Sequence, residues 1–65
     1  MNEQRYAGMT TNERLYTAGL LETFDAAFRR RDRKEMIRLL GLVELSGQSA
    51  TITDAMLENP ARYGG

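Results

Sequence analysis

The chain has 65 residues, and nine lysine and arginine residues balance nine aspartate and glutamate residues, so its formal net charge is zero. It contains no cysteine and no histidine, which excludes disulfides, thiolate zinc sites and cysteine nucleophiles and removes the commonest general base and metal ligand. A chain this short buries only about 60% of its unfolded surface, so oligomerisation is the remaining common source of stability. No apolar run approaches the roughly 18 residues of a membrane span, and no signal peptide is recognisable, so we expect a cytoplasmic protein.

The first helix is predicted to follow a short polar arm. Residues 1–9 are polar and contain Gly8, so we expect a flexible arm, with Tyr6 or Met9 as the residue that docks on the core. The stretch from Thr10 to Glu13 matches a capping box, in which the N-cap hydroxyl and the glutamate side chain each bond a free backbone amide. This pattern predicts that a helix begins at residue 11 or 12.

Apolar residues then recur at helical spacing as far as residue 28. The predicted inner face consists of Tyr16, Leu20, Phe24, Ala27 and Phe28. Neither glycine nor proline interrupts residues 20–40, so one long helix is an alternative to two. At about 100° per residue, however, Met36 and Leu40 would lie roughly 160–200° away from Leu20. We therefore predict helix one over residues 11–30 and a break between residues 29 and 33.

Helix two is predicted over residues 33–43, because Asp32 followed by Glu35 is a second capping signal. Gly41 is either a C-cap, which would end the helix early, or a position of close packing, and the sequence leaves both alternatives open. The predicted inner face consists of Met36, Ile37, Leu40 and Val43.

Helix three is predicted over residues 47–58, with Ser46 as its N-cap and Ser49 as a later candidate cap. Pro60 ends it, because the residue before a proline disfavours helical geometry. The tail that follows, residues 60–65, could fold back through Tyr63. The predicted inner face of this helix consists of Ile52, Ala55 and Met56.

The predicted architecture is an all-α three-helix bundle over residues 10–59. Some large apolar residues fall outside the predicted inner faces, which indicates a second apolar surface that a homodimer would bury. These candidate oligomer contacts are Leu15, Leu39, Leu42 and Leu57.

A basic cluster over residues 29–38 is the most distinctive local feature. Six cations and two acids give this stretch a charge of +4, whereas residues 1–28 (two cations, four acids) and 39–65 (one cation, three acids) each carry −2. One hypothesis is contact with an anion, a nucleic acid or an acidic partner. The other is a solvated helix junction, favoured because arginines at a helix end complement its dipole and can pair with nearby carboxylates. The candidate contacts are Arg29, Arg30, Arg33, Lys34 and Arg38, of which Arg33 and Lys34 are least explained by the junction.

Patterns that indicate catalysis are weak. Glu22 and Asp25 lie three residues apart without a histidine near them, and neither Ser46 nor Ser49 has a base beside it in the sequence. Predicted helix three contains no lysine or arginine, which disfavours DNA reading by a helix-turn-helix. We therefore expect no enzymatic activity, no cofactor and no metal.

Three segments together resemble a group of short, uncharacterised helical proteins of alphaproteobacterial type. They are Asn12-Glu-Arg-Leu-Tyr-Thr-Ala-Gly-Leu-Leu-Glu-Thr-Phe-Asp-Ala-Ala-Phe, Arg31-Asp-Arg-x-x-Met-Ile and Asn59-Pro-Ala-Arg-Tyr-Gly, within residues 12–64. The resemblance implies a bacterial cytoplasmic protein and transfers no activity. The sequence thus predicts a non-enzymatic helical protein-interaction module that forms a homodimer and has no membrane contact. The alternative is an accessory nucleic-acid-binding or regulatory protein that uses the basic cluster.

Overall fold

A computed structural model of the chain describes residues 6–63. Within this range the chain forms α1 over Thr11–Thr17, α2 over Leu21–Arg30, α3 over Arg33–Leu42, α4 over Ser49–Glu58 and a 3₁₀ helix over Pro60–Tyr63. Helix α3 is central and packs against both α2 and α4, and α1 packs against α2. The predicted all-α class is confirmed, but the described residues form four α-helices instead of three.

The predicted helix over residues 11–30 is two helices, because a Schellman motif ends α1. The Leu20 amide donates to the Leu15 carbonyl at 2.8 Å, and the Gly19 amide donates to the Tyr16 carbonyl at 3.0 Å. Gly19 has a φ of 75°, a left-handed conformation that glycine adopts without a Cβ clash. The prediction of one helix over residues 11–30 was wrong because Gly19 lies within that range and ends α1.

Helices α2 and α3 end with the same hydrogen-bond pattern but without a glycine. The Asp32 amide donates to the Ala27 carbonyl at 2.9 Å, and the Leu45 amide donates to the Leu40 carbonyl at 3.0 Å. The left-handed positions are occupied by Arg31, with a φ of 59°, and Glu44, with a φ of 68°. A left-handed conformation costs a residue other than glycine about 1–2 kcal/mol. The predicted break between residues 29 and 33 is confirmed, and it carries backbone strain.

The N-terminal capping signals were predicted correctly for the first and third helices. The Glu13 amide donates to Thr10 Oγ1 at 3.2 Å, and the Thr10 amide donates to Glu13 Oε1 at 2.9 Å, which completes the capping box. Asp32 Oδ1 accepts from the Glu35 amide at 3.2 Å and caps α3.

The predicted serine cap of α4 is wrong. This helix begins at Ser49, and no side chain caps it. Ser49 is instead buried, and its hydroxyl donates to the Ser46 carbonyl at 3.1 Å. Both serines therefore hold the turn that leads into α4.

One hydrophobic core joins the N-terminal turn, residues 6–9, to all four helices. It consists of Tyr6, Leu15, Phe24, Ala27, Phe28, Met36, Leu39, Leu40, Val43, Leu45 and Met56. Leu15 and Leu39 were predicted to lie on a second apolar surface, but they are buried here. Leu15 is buried because the chain breaks at Gly19, so the apolar face of α1 does not have to continue the apolar face of α2. For Leu39 the reason is that α3 is covered on two sides.

Tyr16 and Gly41 also differ from expectation. Tyr16 was assigned to the inner face of helix one, but 75% of it is exposed. It follows Leu15 by one residue, about 100° around the helix, so when Leu15 faces the core Tyr16 faces outward. Gly41 is neither a C-cap nor a close-packing position: it lies within α3, and a Cβ placed there would meet only the Ser46 Cβ at 3.8 Å.

Arg14 fastens the N-terminal turn to the rest of the fold. Its Nε donates to the Met9 carbonyl at 3.2 Å, its Nη1 donates to the Val43 carbonyl at 3.0 Å, and its guanidinium carbon lies 5.9 Å from the centre of the Tyr6 ring. Tyr6 is 5% exposed and Met9 packs against the core, so the predicted arm docks on the core through both residues. Residues 1–5, the side chain of Tyr63 and the two terminal glycines lie outside the described part.

Within residues 6–63, no helix has both the length and the apolar composition needed to span a bilayer.

Candidate functional site

The basic cluster lies at the corner between α2 and α3, and three of its cations are paired with neighbouring carboxylates. All three pairs are exposed to solvent, so salt screens them and each contributes modestly to stability. Hydrogen bonds from Arg30 and from the Glu35 amide lower the pKa of Asp32, and the hydrogen bond from Arg38 lowers the pKa of Glu35. The pairs are Arg29–Asp25 at 2.7 Å, Arg30–Asp32 at 3.0 Å and Arg38–Glu35 at 2.6 Å.

Two further arginines reach across to α4. Arg33 donates from Nε and Nη2 to the two carboxylate oxygens of Asp54 at 2.7 and 3.3 Å, and this hydrogen bonding lowers the pKa of Asp54. Arg31 Nη2 donates to the Leu57 carbonyl at 2.9 Å. That carbonyl lies in the last turn of α4, where the helix dipole favours a cation. The corner therefore fastens α4 to the junction of α2 and α3.

Lys34 is the one cation of the cluster that has neither a hydrogen bond nor an ion pair with another residue of the described range. The sequence had left both Arg33 and Lys34 unexplained, and the contact with Asp54 now accounts for Arg33. Six cations face four carboxylates (those of Asp25, Asp32, Glu35 and Asp54), which leaves a charge of +2 at the corner. A polyanion would have to compete with these intramolecular pairs.

A second surface feature lies beside α1 and the start of α2. Here the protein surface forms a shallow depression of about 490 Å³ that is broadly open to solvent. The exposed Tyr16 forms part of its wall, and the Thr17 hydroxyl donates to Met9 Sδ at 3.9 Å, which positions the Met9 side chain. We call this depression the α1–α2 groove; it is lined by Met9, Asn12, Glu13, Tyr16, Thr17 and Leu21.

The groove continues toward α4. A second depression of about 320 Å³ shares Asn12 and Leu21 with it, and a third of about 310 Å³ shares Asn12 with both. Met56 lines the second and the third. The second depression, which we call the groove extension, is lined by Asn12, Leu21, Glu22, Phe24, Asp25, Phe28 and Met56. The charged residues of the groove and its extension are Glu13, Glu22 and Asp25, all of them acidic.

Sequence reasoning missed this surface because it placed Tyr16 in the core. Gly19 was the available signal: a helix end at that glycine separates the phase of Tyr16 from that of Phe24. The predicted oligomer contacts also change. Leu42 is 55% exposed and Leu57 is partly buried against the core.

The described residues bring together few chemically reactive groups. Glu22 and Asp25 both line the groove extension, but Asp25 is paired with Arg29. No group of three acidic side chains that could hold a metal ion occurs among residues 6–63. Thr53 is fully buried, and its hydroxyl has no hydrogen-bond partner within the same range.

Comparison with protein-family models, with curated proteins and with solved structures found no match for this chain. The resemblance to the bacterial group therefore stays a prediction, and the functional argument rests on the surface itself.

Proposed function

We propose that the chain is a non-enzymatic helical protein-interaction module whose binding surface is the α1–α2 groove together with its extension. The observation that carries the proposal is Tyr16, which is 75% exposed in the wall of an apolar depression of about 490 Å³. Tyrosine is enriched at protein interfaces because its ring contributes a large contact area at low cost in side-chain entropy. An exposed tyrosine beside apolar neighbours is therefore typical of a docking surface.

The openness of the groove favours a protein segment over a small molecule. Small-ligand pockets usually bury about 70–90% of their ligand, which a shallow and broadly open depression does not achieve. An amphipathic helix instead inserts successive side chains into a groove and needs only partial enclosure. Met9, which is partly buried in the groove lining, suits this role because the flexible, polarisable methionine side chain adapts to different partners.

Selection of helical peptides tests the proposal. A phage-displayed library of single-helix peptides is selected on the wild-type protein, and each binder is then measured against Tyr16→Asp and Leu42→Asp. The two variants place the same charge at an exposed apolar position, and circular dichroism confirms that both are folded. We expect Tyr16→Asp to lose binding and Leu42→Asp to keep it. Binders that tolerate Tyr16→Asp would contradict the proposed surface.

A homodimer is a second proposal, and Leu42 supports it because its side chain is 55% exposed in the last turn of α3. Leu15 and Leu39 cannot contribute a surface contact, since both belong to the core. Sedimentation equilibrium up to high micromolar concentration is expected to show a dimer that Leu42→Asp weakens. A wild-type protein that stays monomeric over this concentration range would contradict this second proposal.

Nucleic-acid binding by the basic corner receives less support, because five of its six cations are already engaged within the chain. A mobility shift of labelled RNA or DNA that disappears in Lys34→Glu would be needed to restore it.

A further inference from the structure

We infer that the segment bound by the α1–α2 groove and its extension is a cationic amphipathic helix of another protein. The inference rests on the proposed function and adds the chemistry of the partner. Its basis is the charge around the apolar surface: the charged linings are Glu13, Glu22 and Asp25, and no lysine or arginine lines either depression. An acidic rim around an apolar floor complements a helix with aliphatic anchors flanked by lysine or arginine.

Two of the three carboxylates have capacity for a partner. Glu22 is exposed and makes no hydrogen bond or ion pair with other residues between positions 6 and 63. Glu13 uses Oε1 to accept from the Thr10 amide, which leaves Oε2 available. Asp25 already has its counter-ion in Arg29 at 2.7 Å. Glu22 and Glu13 are therefore the acidic contacts that select a cationic helix.

The groove and its extension adjoin each other, so a single helix can contact both. The groove and its extension share the wall formed by Asn12 and Leu21. Side chains three or four positions apart on a helix lie about 5–6 Å from each other, so anchors one turn apart can each enter one depression. Flanking lysines and arginines reach the rim through long aliphatic stems that lie along the apolar surface.

Charge also argues against a second copy of this chain in the groove. A two-fold symmetric contact would set the acidic rim of one copy against the same rim of the other, and like charges brought together in an interface cost affinity. The basic corner of a second copy offers only one cation without a hydrogen bond or an ion pair among the described residues, Lys34, since its arginines are engaged by its own acceptors. A helix from a different protein brings unpaired cations.

The test uses the tightest Tyr16-dependent peptide from the selection. We expect such peptides to be enriched in lysine and arginine relative to the library. Replacing these residues with glutamate is expected to weaken binding about tenfold, the combined effect of two exposed charge pairs. The difference in affinity between the original and the glutamate-substituted peptide should narrow when the salt concentration is raised from about 0.05 M to about 0.5 M, since screening shortens the reach of exposed charges. Fluorescence anisotropy of the labelled peptide measures each affinity.

Charge reversal in the protein supplies the matched control. Glu22→Lys is expected to weaken binding of the cationic peptide and to strengthen binding of the glutamate-substituted peptide. A variant whose fold is merely damaged would not produce this rescue. Glu58→Lys makes the same charge change at an exposed position outside the groove linings and should leave both affinities unchanged.

The possible failures are distinguishable. Tyr16-dependent peptides with no excess of basic residues, or a cationic peptide that binds Glu22→Lys as well as wild type, overturn the inference and leave the proposed surface standing. A selection whose binders ignore Tyr16, or that yields no binder, overturns the proposed surface and this inference with it.

Discussion

Replacing Thr53 with valine is expected to stabilise the protein. The Thr53 side chain is 0% exposed in α4, and its hydroxyl has no hydrogen-bond partner within the described residues. Leaving a buried polar group unpaired costs about 1–3 kcal/mol, whereas valine fills nearly the same volume without a polar atom and has a similar helix propensity. At the low end of that range, Thr53→Val raises the free energy of unfolding by about 1 kcal/mol. For a domain of this size, that corresponds to an increase in Tm of about 4–8 °C.

Urea and thermal unfolding followed by far-UV circular dichroism measure the effect. Thr51→Val, an exposed position in the same helix, is the control and should change the free energy of unfolding by less than about 0.5 kcal/mol. Thr53→Ser keeps the hydroxyl and removes a methyl group, so it is expected to lower stability by about 0.8 kcal/mol. A destabilised Thr53→Val would refute the argument. It would mean that the hydroxyl has an acceptor in solution, such as the Ser49 carbonyl one turn earlier.

Four further changes test the backbone, the N-terminal turn and the ion pairs. Glu44→Gly relieves a left-handed residue that has a φ of 68° and is expected to stabilise by about 0.5–1 kcal/mol. Gly41→Ala should also stabilise by about 0.5–1 kcal/mol, because alanine favours a helix interior and the site has room for a Cβ. Arg14→Gln should destabilise by about 2 kcal/mol through the loss of charged bonds to two carbonyls. Arg33 lowers the pKa of Asp54, so their ion pair stabilises the fold above about pH 4, and this stabilisation is lost as the pH falls further. Between about pH 5 and pH 2, Asp54→Asn should therefore lose less stability than the wild-type protein.

Denaturant unfolding checks the first three of these changes, and unfolding across the acid range checks the fourth. A destabilised Glu44→Gly would show that the glutamate side chain makes a stabilising contact in solution. A destabilised Gly41→Ala would mean that the approach of Ser46 to α3 is closer than 3.8 Å. Arg14→Gln with wild-type stability would contradict the clamp on the N-terminal turn. Equal acid sensitivity of Asp54→Asn and wild type would show that the pair with Arg33 does not form.

Much of the candidate surface was beyond sequence reasoning, although one signal for it was present. Gly19 ends α1 and turns Tyr16 outward, and a helix end at this glycine could have been predicted from its left-handed preference. That Met56 lines the same depression as Leu21 and Asn12 could not have been predicted. It depends on how α4 returns across the bundle, which no local pattern encodes.

Local hydrogen bonding is what the sequence by itself determined. The capping box of Thr10 and Glu13, the cap formed by Asp32 and the break after Arg30 were all predicted correctly. Each involves groups within five residues of one another, so residue type and spacing are enough to specify them. The apolar spacing of α2 and most of α3 was sufficient to place their core faces for the same reason.

Only the tertiary structure decided the long-range partners of the arginine side chains. Arg33 pairs with Asp54, 21 residues away, Arg31 reaches the carbonyl of Leu57, 26 residues away, and Arg14 binds the carbonyl of Val43, 29 residues away. Such contacts depend on the relative placement of whole helices, which core packing sets and periodicity along one helix does not reveal. Of the six cations in the basic cluster, Arg31 and Arg33 therefore fasten α4 to the corner between α2 and α3. Three others pair with carboxylates within four residues along the chain, and Lys34 has no such partner among the described residues. The surface that we propose for a partner is the acidic-rimmed groove beside α1.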